Sequence, residues 1–562
     1  MLRQLIECVP NFSEGRDMKI IKQITDAIES VEGVKLLDVD PGKATNRTVV
    51  TFVGEPEPVI QAAFLGIKKA AELIDMSKHH GEHPRMGATD VCPLVPVANI
   101  TMEEVAQWAH KLGELAGSQL DIPFYMYENA ASSPERRNLA NVRAGEYEGL
   151  PAKLSKPEWK PDYGPAKFNP KSGATAISAR DFLIAYNVNL NTTSVRRANS
   201  VAFDIRENGR VKRDGDLVTS KVLTDADGTP LREPGLLKAC KAIGWFIEEY
   251  GVAQISMNLT NIKITPLHRA FEATTERAVA RGLRVTGSEL VGLVPKSVLL
   301  DAGRYFLEKQ RRSVGVSEEE LIHIAVRTMG LDELAPFDPK KKVIEYLLEG
   351  ENPNPLISMD LRAFANLTAS ESVAPGGGSV SAYVGALGIS LGTMVANLSA
   401  HRRIWDDRWE EFSEVADRGQ QLKDELLRLV DEDTRSYNGI IDAVRLPKGT
   451  DAEKATRKQA IQDATKYAIE VPFRVMEVCA ASFEVIRDMA ERGNPNSASD
   501  AGVGGLCARA AIHGAYLNVQ INCADVEDKE FVQTKLEAGK KLIEQADAAE
   551  AQIMEIVLKN IQ

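Results

Sequence analysis

The spacing of apolar residues changes once along this chain, near Leu334, and that change constrains the fold more than any other feature. Before it, short runs rich in β-formers alternate with runs of helical period. "VKLLDVD" (Val34–Asp40), "RTVVTFVG" (Arg47–Gly54) and "FLIAYNVNL" (Phe182–Leu190) read as strands. "EPVIQAAFLGIKKAAELIDM" (Glu57–Met76) and "TMEEVAQWAHKLGELAGSQL" (Thr101–Leu120) read as helices, the second opened by Thr101 and Glu104 as a capping box. From Met359 onward strand signals vanish and nearly every segment has helical period. The expected fold is therefore an N-terminal α/β part, an α+β sandwich, followed by an all-α bundle of five or more helices.

The first part repeats itself faintly. "LIECVPNFSEGRD", from Leu5, and "LIAYNVNLNTTSVRRANSVAFDI", from Leu183, each run from strand through a polar Asn/Ser loop to helix. Two similar subdomains, 1–180 and 181–333, with a ligand crevice between them would explain the echo. Residues 334–358 hold four prolines and a charged cluster and read as a linker with one short helix. The helical domain is then 359–562. Two Asp-Gly steps within Val211–Glu233 predict a β-hairpin excursion.

Charge and cysteine usage narrow the function. A net charge of -12 argues against a nucleic-acid binder, because duplex affinity needs a basic face. It leaves room for a small anionic ligand at a local basic patch. The six cysteines form no CxxC pair and no zinc spacing, so no metal site and a reducing, cytoplasmic setting are expected. No signal pattern opens the chain. The run Ser379–Ala400 is long enough to span a bilayer, but its density of small residues suits a helix buried in a bundle, so no membrane partner is expected. Long amphipathic helices with wide apolar stripes predict self-association.

"SKHHGEHPRMG" (Ser77–Gly87) matches H-x-x-E-H through His79, Glu82 and His83. A metal site of that pattern needs one helix face. Gly81 lies inside the motif and Pro84 follows it, and proline disfavours helical geometry at His83. The segment is expected to be a loop. Two readings stay open from the residues: a basic surface loop of Lys78, His79, His80 and Arg85, or a catalytic His83 flanked by Glu82 and Arg85.

Five segments carry a family resemblance. "ECVPNFSEGRD" (Glu7–Asp17), "GEHPRMGATDVCPLVPV" (Gly81–Val97) and "GSELVGLVP" (Gly287–Pro295) resemble the glutamate formiminotransferase family. "APGGGSVSA" (Ala374–Ala382) and "GNPNSASDAGVG" (Gly493–Gly504) resemble formimidoyltetrahydrofolate cyclodeaminase. In this order they are similar to the bifunctional formiminotransferase-cyclodeaminase family, over nearly the whole chain. The resemblance implies two successive folate reactions of histidine degradation, with tetrahydrofolate, in polyglutamylated form, as substrate and one-carbon carrier. The formimino group of N-formimino-L-glutamate passes to N5 of tetrahydrofolate. 5-Formiminotetrahydrofolate then cyclises to 5,10-methenyltetrahydrofolate and releases ammonia. A homo-octamer is also implied.

The resemblance places the transferase's catalytic histidine at His83 and the folate-binding segment at Gly164, Pro165, Ala166, Lys167, Phe168, Asn169, Pro170, Lys171, Ser172 and Gly173. That loop has exposed N–H groups, an aromatic ring and two lysines, and Lys153, Lys156 and Lys160 upstream extend a basic patch suited to anionic folate tails. Asp38, Asp40 or Glu82 is of the right type to orient the imidazole. Arg85 either faces a substrate carboxylate or forms a surface ion pair. The cyclodeaminase's catalytic aspartate falls at Asp433, in a run of three acids (Asp431, Glu432, Asp433) of which a helix can direct only one or two to one site. Gly376, Gly377, Gly378 and Ser379 either cradle an anion at a helix start or make a tight turn at a subunit contact. Ser499 or Asp500 is expected to join that second site.

Overall fold

The computed structural model describes residues 4–43, 45–81, 84–215, 219–349 and 356–561. The chain divides into two compact units: Met1–Val298 with Met329–Gly350, and Leu299–Thr328 with Glu351–Gln562.

The first unit contains the same construction twice. Strand β1 (Leu5–Cys8) leads through the two-residue β2 (Asn11–Phe12) to helix α1 (Met18–Glu29), then β3 (Val34–Gly42), β4 (Arg47–Gly54), α2 (Pro56–Leu73) and β5 (Thr89–Ala98). In the sheet, β3 pairs with β4, β4 with β1, and β1 with β5, all antiparallel. After α3 (Met102–Gln119), β6 (Phe124–Glu128) and the short α4 (Leu139–Arg143) and α5 (Glu146–Leu154), strand β7 (Thr175–Ala179) extends this sheet by parallel pairing with β5 and β6. The second copy is β8 (Ile184–Leu190), α6 (Val195–Ile205), β11 (Cys240–Ile247), β12 (Val252–Leu259), α7 (Leu267–Val279) and β13 (Val285–Val291). Its order is β11-β12-β8-β13, again second, third, first, fourth. The faint textual echo is thus a repeated β-α-β-β-α-β unit. Between its first helix and second strand the second copy carries the expected hairpin, with β9 (Arg210–Val211) paired to β10 (Arg232–Glu233); residues 216–218 lie outside the described residues.

Strand alternation decides which residues meet the helices and which do not. In β1, Ile6 and Cys8 enter the core under α1 and α2, while Glu7 points to the other sheet face. In β4, Val50 and Phe52 go to the core and Arg47, Val49 and Thr51 to the opposite face. The capping box expected at Thr101 is formed in both directions with Glu104, an arrangement of order 1 kcal/mol.

The presumed linker is partly built in. Val343 and Ile344 are fully buried, Val343 bridges to Val294, and α10 (Pro339–Lys342) and α11 (Ile344–Glu349) belong to the first unit. Two apolar side chains in "KKKVIEYLL" are enough to hold the segment down. Helices α8 (Lys296–Lys309) and α9 (Glu318–Met329), read from sequence as part of the second subdomain, lie largely in the residues that group with the helical unit. There Arg304 pairs with Asp417, and the Asn397 and Gln420 carboxamides both donate to the Gly315 carbonyl.

The helical unit is built on α12 (Leu361–Thr368), α13 (Gly377–Ala400), α14 (Trp409–Arg445), α15 (Asp451–Arg492), α16 (Ala498–Cys523) and α17 (Lys529–Ile561). Helix α13 is long and apolar enough to cross a membrane, and 61% of its most apolar window is buried inside the bundle. Its glycines explain that burial. A Cβ on Gly388 would stand 2.9 Å from the Gly504 carbonyl, and one on Gly504 would stand 2.8 Å from the Gly388 carbonyl. The two helices cross backbone to backbone, which side chains would forbid.

Candidate active sites

A cleft of about 430 Å³ lies between the uncovered faces of the two repeated sheets. Glu7, Asp38, Asp40 and Arg47 line it from the first repeat, and Ala185, Asn258 and Val291 from the second. Glu7 is almost wholly buried, and burial, partly opposed by nearby Arg180, pushes its carboxyl up to about 7. Burial also raises Asp38, against the attraction of Lys342. Asp90, wholly buried, sits behind the cleft. Arg47 reaches it at 2.5 Å and Arg143 at 2.7 Å, and its other oxygen accepts the Met86 backbone N–H at 2.9 Å. Burial alone would raise Asp90, but the two guanidinium groups outweigh it and hold it below the usual carboxylate range.

Of the Ser77–Gly87 segment, the described residues form a 3-10 turn through Lys78 and no α-helix, in keeping with the Gly and Pro breakers. His83 and Glu82 lie outside the described residues. Their neighbours are well fixed. A Cβ on Gly81 would lie 2.2 Å from the carbonyl of Thr45, a residue of the cleft wall. Asn46 donates to the His80 carbonyl at 3.0 Å. His79 is not the exposed basic side chain expected from sequence: it is buried, with Nε2 2.8 Å from the Asn46 carbonyl, and burial lowers its pKa. Arg85 is also buried. It donates to both oxygens of Glu148, to Glu146 and to the His79 carbonyl, so the chain's own carboxylates occupy its fork. Of the two expectations for Arg85, the ion pair is the one formed, with the arginine itself buried and its glutamate partners toward the surface.

The Gly164–Gly173 loop runs beside this segment. Gly87 pairs with Gly173, and a Cβ on either would strike the facing backbone at 2.1 Å. Ser172, buried, accepts the Ala88 N–H, and the Asn169 carboxamide accepts the N–H groups of Lys171 and Ser172. Phe168 packs on Tyr147 at 5.4 Å, and the Tyr147 hydroxyl donates to the Pro170 carbonyl. Lys167 is exposed, whereas the Lys171 ammonium donates to the Glu72 carbonyl. The expected five-lysine patch loses Lys153, which is buried beneath Trp159, donates to the Asn141 and Val142 carbonyls and is pushed down to about 8 by burial.

In the helical unit the three adjacent acids of α14 take three different roles. Asp431 accepts the Leu356 N–H at 2.6 Å, and Glu432 pairs with Arg435 and Tyr467. Asp433 alone points at the start of α13. One of its oxygens accepts the Ser379 N–H at 2.8 Å and the Ser379 hydroxyl at 3.0 Å. Gly376 caps α13, and a Cβ on Gly378 would fall 2.1 Å from the second Asp433 oxygen. The glycine run is therefore what admits the carboxyl. Burial raises the Asp433 pKa despite the two Ser379 hydrogen bonds. Asp500 does not join this site within one chain. It lies in the first turn of α16, whose far end faces Gly377 through Asn518. By helix rise that is roughly 20 Å along α13.

Three family profiles match these regions: "Formiminotransferase domain, N-terminal subdomain" over residues 5–180, "Formiminotransferase domain" over 185–349 and "Formiminotransferase-cyclodeaminase" over 360–541. A protein named formimidoyltransferase-cyclodeaminase from Gallus gallus is 42% identical over 99% of both chains. The chain belongs to the formiminotransferase-cyclodeaminase family. Its first part is 41% identical to a glutamate formimidoyltransferase from Streptococcus pyogenes, over 55% of this chain and 94% of that one. Its helical part is 33% identical to a methenyltetrahydrofolate cyclohydrolase from Methylorubrum extorquens, over 36% of this chain and 97% of that one.

Sequence reasoning missed Glu7, Arg47, Asp90 and Arg143. Glu7 had a usable signal: in "LIEC" it alternates with two core residues, so it must occupy the face away from the helices. Asp90 and the arginines come from separate elements, and nothing local links them.

Proposed function

We propose that this family member is a bifunctional folate enzyme that transfers the formimino group of N-formimino-L-glutamate to tetrahydrofolate and then cyclises the product with loss of ammonia. The observation that carries the first half is the Gly87–Gly173 pairing, which sets the His83 loop against the Gly164–Gly173 loop. N5 of the folate attacks the amidine carbon, the N5–C bond forms, and the bond from carbon to the glutamate nitrogen breaks. His83 takes the N5 proton and returns it to the leaving nitrogen. Phe168, Lys167 and the loop's backbone hold the folate.

In the helical unit, N10 attacks the same formimino carbon. The N10–C bond forms, the C–N bond to the departing ammonia breaks, and the proton lost by N10 goes to that nitrogen. Asp433, raised by burial and oriented by Ser379, is the group for this transfer. The Gly376–Ser379 turn positions it. Supplying both substrates to the purified chain should yield glutamate, ammonia and methenyl-folate absorbance in equal amounts; glutamate without ammonia would leave only the transferase standing.

One observation favours a second activity in the same unit. The relative named methenyltetrahydrofolate cyclohydrolase suggests that water can open the methenyl bridge there. Enzyme-dependent decay of supplied methenyltetrahydrofolate, lost in Asp433→Asn, would establish it.

The folate is read as a polyglutamate, the assembly as a homo-octamer and the compartment as cytoplasm. Six free cysteines support a reducing setting, Cys8 and Cys92 lying 3.5 Å apart as thiols. Exposed Leu517 (66%) and Ile521 (72%) on α16 support self-association. Light scattering should give eight times the mass of the chain.

A further inference from the structure

The cleft has two electrical poles, and one of them ends in an arginine with an unused donor. Arg143, the last residue of α4, gives one terminal nitrogen to Asp90 at 2.7 Å. Its Nε is buried and has no hydrogen-bond partner among the described residues. Arg47 shares the same Asp90 oxygen and spends its own Nε on the Asn11 side chain at 3.0 Å. One carboxylate thus faces two guanidinium groups, leaving one positive charge in excess, and both arginines line the cleft. The negative pole is Asp38 and Asp40, beside Glu7, which burial keeps partly protonated near neutrality; none of the three carboxyl groups receives a side-chain hydrogen bond among the described residues.

A buried guanidinium with an unpaired N–H loses hydration that a bound anion or an ordered water restores. The chemistry that fits its fork is a carboxylate. N-formiminoglutamate carries two of these and a cationic amidinium, complementary to both poles at once. We propose that Arg143 is the specificity-determining anchor for a carboxylate of the glutamate moiety in the transferase cleft. The inference rests on the transferase reading of that cleft.

Asp90 adds a geometric consequence. The carboxylate that holds Arg143 also accepts the Met86 N–H, three residues after His83. One buried group therefore ties the anchor to the loop that carries the proposed catalytic histidine. Asp90 is a positioning residue: it touches neither reactant.

The test uses the full chain with Arg143→Gln and Arg143→Lys. Calorimetry with N-formiminoglutamate, without folate, should show wild-type binding and roughly ten- to a hundredfold weaker binding in Arg143→Gln, with partial recovery in Arg143→Lys. In turnover, KM for formiminoglutamate should rise by a similar factor while KM for tetrahydrofolate stays unchanged. Two analogues identify the carboxylate: N-formiminoglutamine, neutral at the side chain, and the α-amide of N-formiminoglutamate. Wild type should discriminate against both, and Arg143→Gln should lose its discrimination against the one whose charge Arg143 reads. An unchanged denaturant midpoint for the α/β unit and an unchanged KM for tetrahydrofolate report that the substituted unit is folded in each variant. Equal discrimination by wild type and Arg143→Gln would overturn the anchor while leaving the transferase reading intact. Wild-type binding that the variant loses, with no turnover in either, would keep the anchor and overturn the transferase reading.

Discussion

Each unit of this molecule takes an aspartate out of water, and the two are treated in opposite ways. Asp90 in the α/β unit is met by Arg47 and Arg143 and stays ionised. Asp433 in the helical unit is met by a serine hydroxyl, a backbone N–H and a glycine turn, with no cation among its partners in the described residues. The same side chain becomes a fixed charge in one place and a proton carrier in the other, because the cost of burial is cancelled in the first and retained in the second. Burial alone does not identify a catalytic carboxyl; the partners do.

Four substitutions sharpen or break that contrast. Asp433→Asn removes the exchangeable proton and should slow ammonia release by about 10²- to 10⁴-fold, without loss of stability, since an amide needs no ionisation. A coupled assay on supplied 5-formiminotetrahydrofolate reads the rate, and a rate within threefold of wild type would remove Asp433 from the chemistry. Asp90→Asn should act on stability instead. It leaves two buried guanidinium groups facing a neutral amide, at a cost of about 3–5 kcal/mol, read as a lower denaturant midpoint for the α/β unit.

Glu7 offers a pH test of the same principle. Its folded-state pKa of about 7 lies above the ordinary 4.5. The folded chain therefore holds that proton when the unfolded chain has released it. Glu7's stabilising contribution is complete below about 4.5 and is lost as pH rises through about 7. Glu7→Gln should abolish that decline and be more stable than wild type by up to about 3 kcal/mol above neutrality. Denaturation at about pH 5 and about pH 8 measures it, and parallel pH profiles would refute it. The smallest effect is expected at Gly378→Ala. The new methyl displaces the Asp433 carboxyl and should slow cyclisation about tenfold, leaving formimino transfer unchanged.

Much of this was legible in the text. The strands, the capping box, the hairpin and the switch to helices all follow from local periodicity, and the glycine-rich start of α13 stands out as a run. The repeated β-α-β-β-α-β order was visible only as a faint echo, because two sheets can share a topology while sharing few residues. His79 and Lys153 were misjudged for one reason: charge type predicts exposure on average, and both are buried by loops whose course depends on distant residues, Asn46 for one and the Asn141 and Val142 carbonyls for the other. Within one chain Asp500 stands away from the Asp433 end of α13, because a motif's order in sequence does not say how antiparallel helices align. Asp433 could be singled out from its two acidic neighbours only through the family resemblance, and the packing of α13 on α14 supplies the physical reason.

The central claim is that the two units carry separate chemistries, one built around the His83 loop and one around Asp433. The direct measurement is both half-reactions in both single variants of the full chain. His83→Ala should lose formimino transfer and still cyclise supplied 5-formiminotetrahydrofolate at the wild-type rate. Asp433→Asn should transfer normally and accumulate 5-formiminotetrahydrofolate. If either variant, folded and assembled as wild type, lost both activities, the two-site account would be wrong.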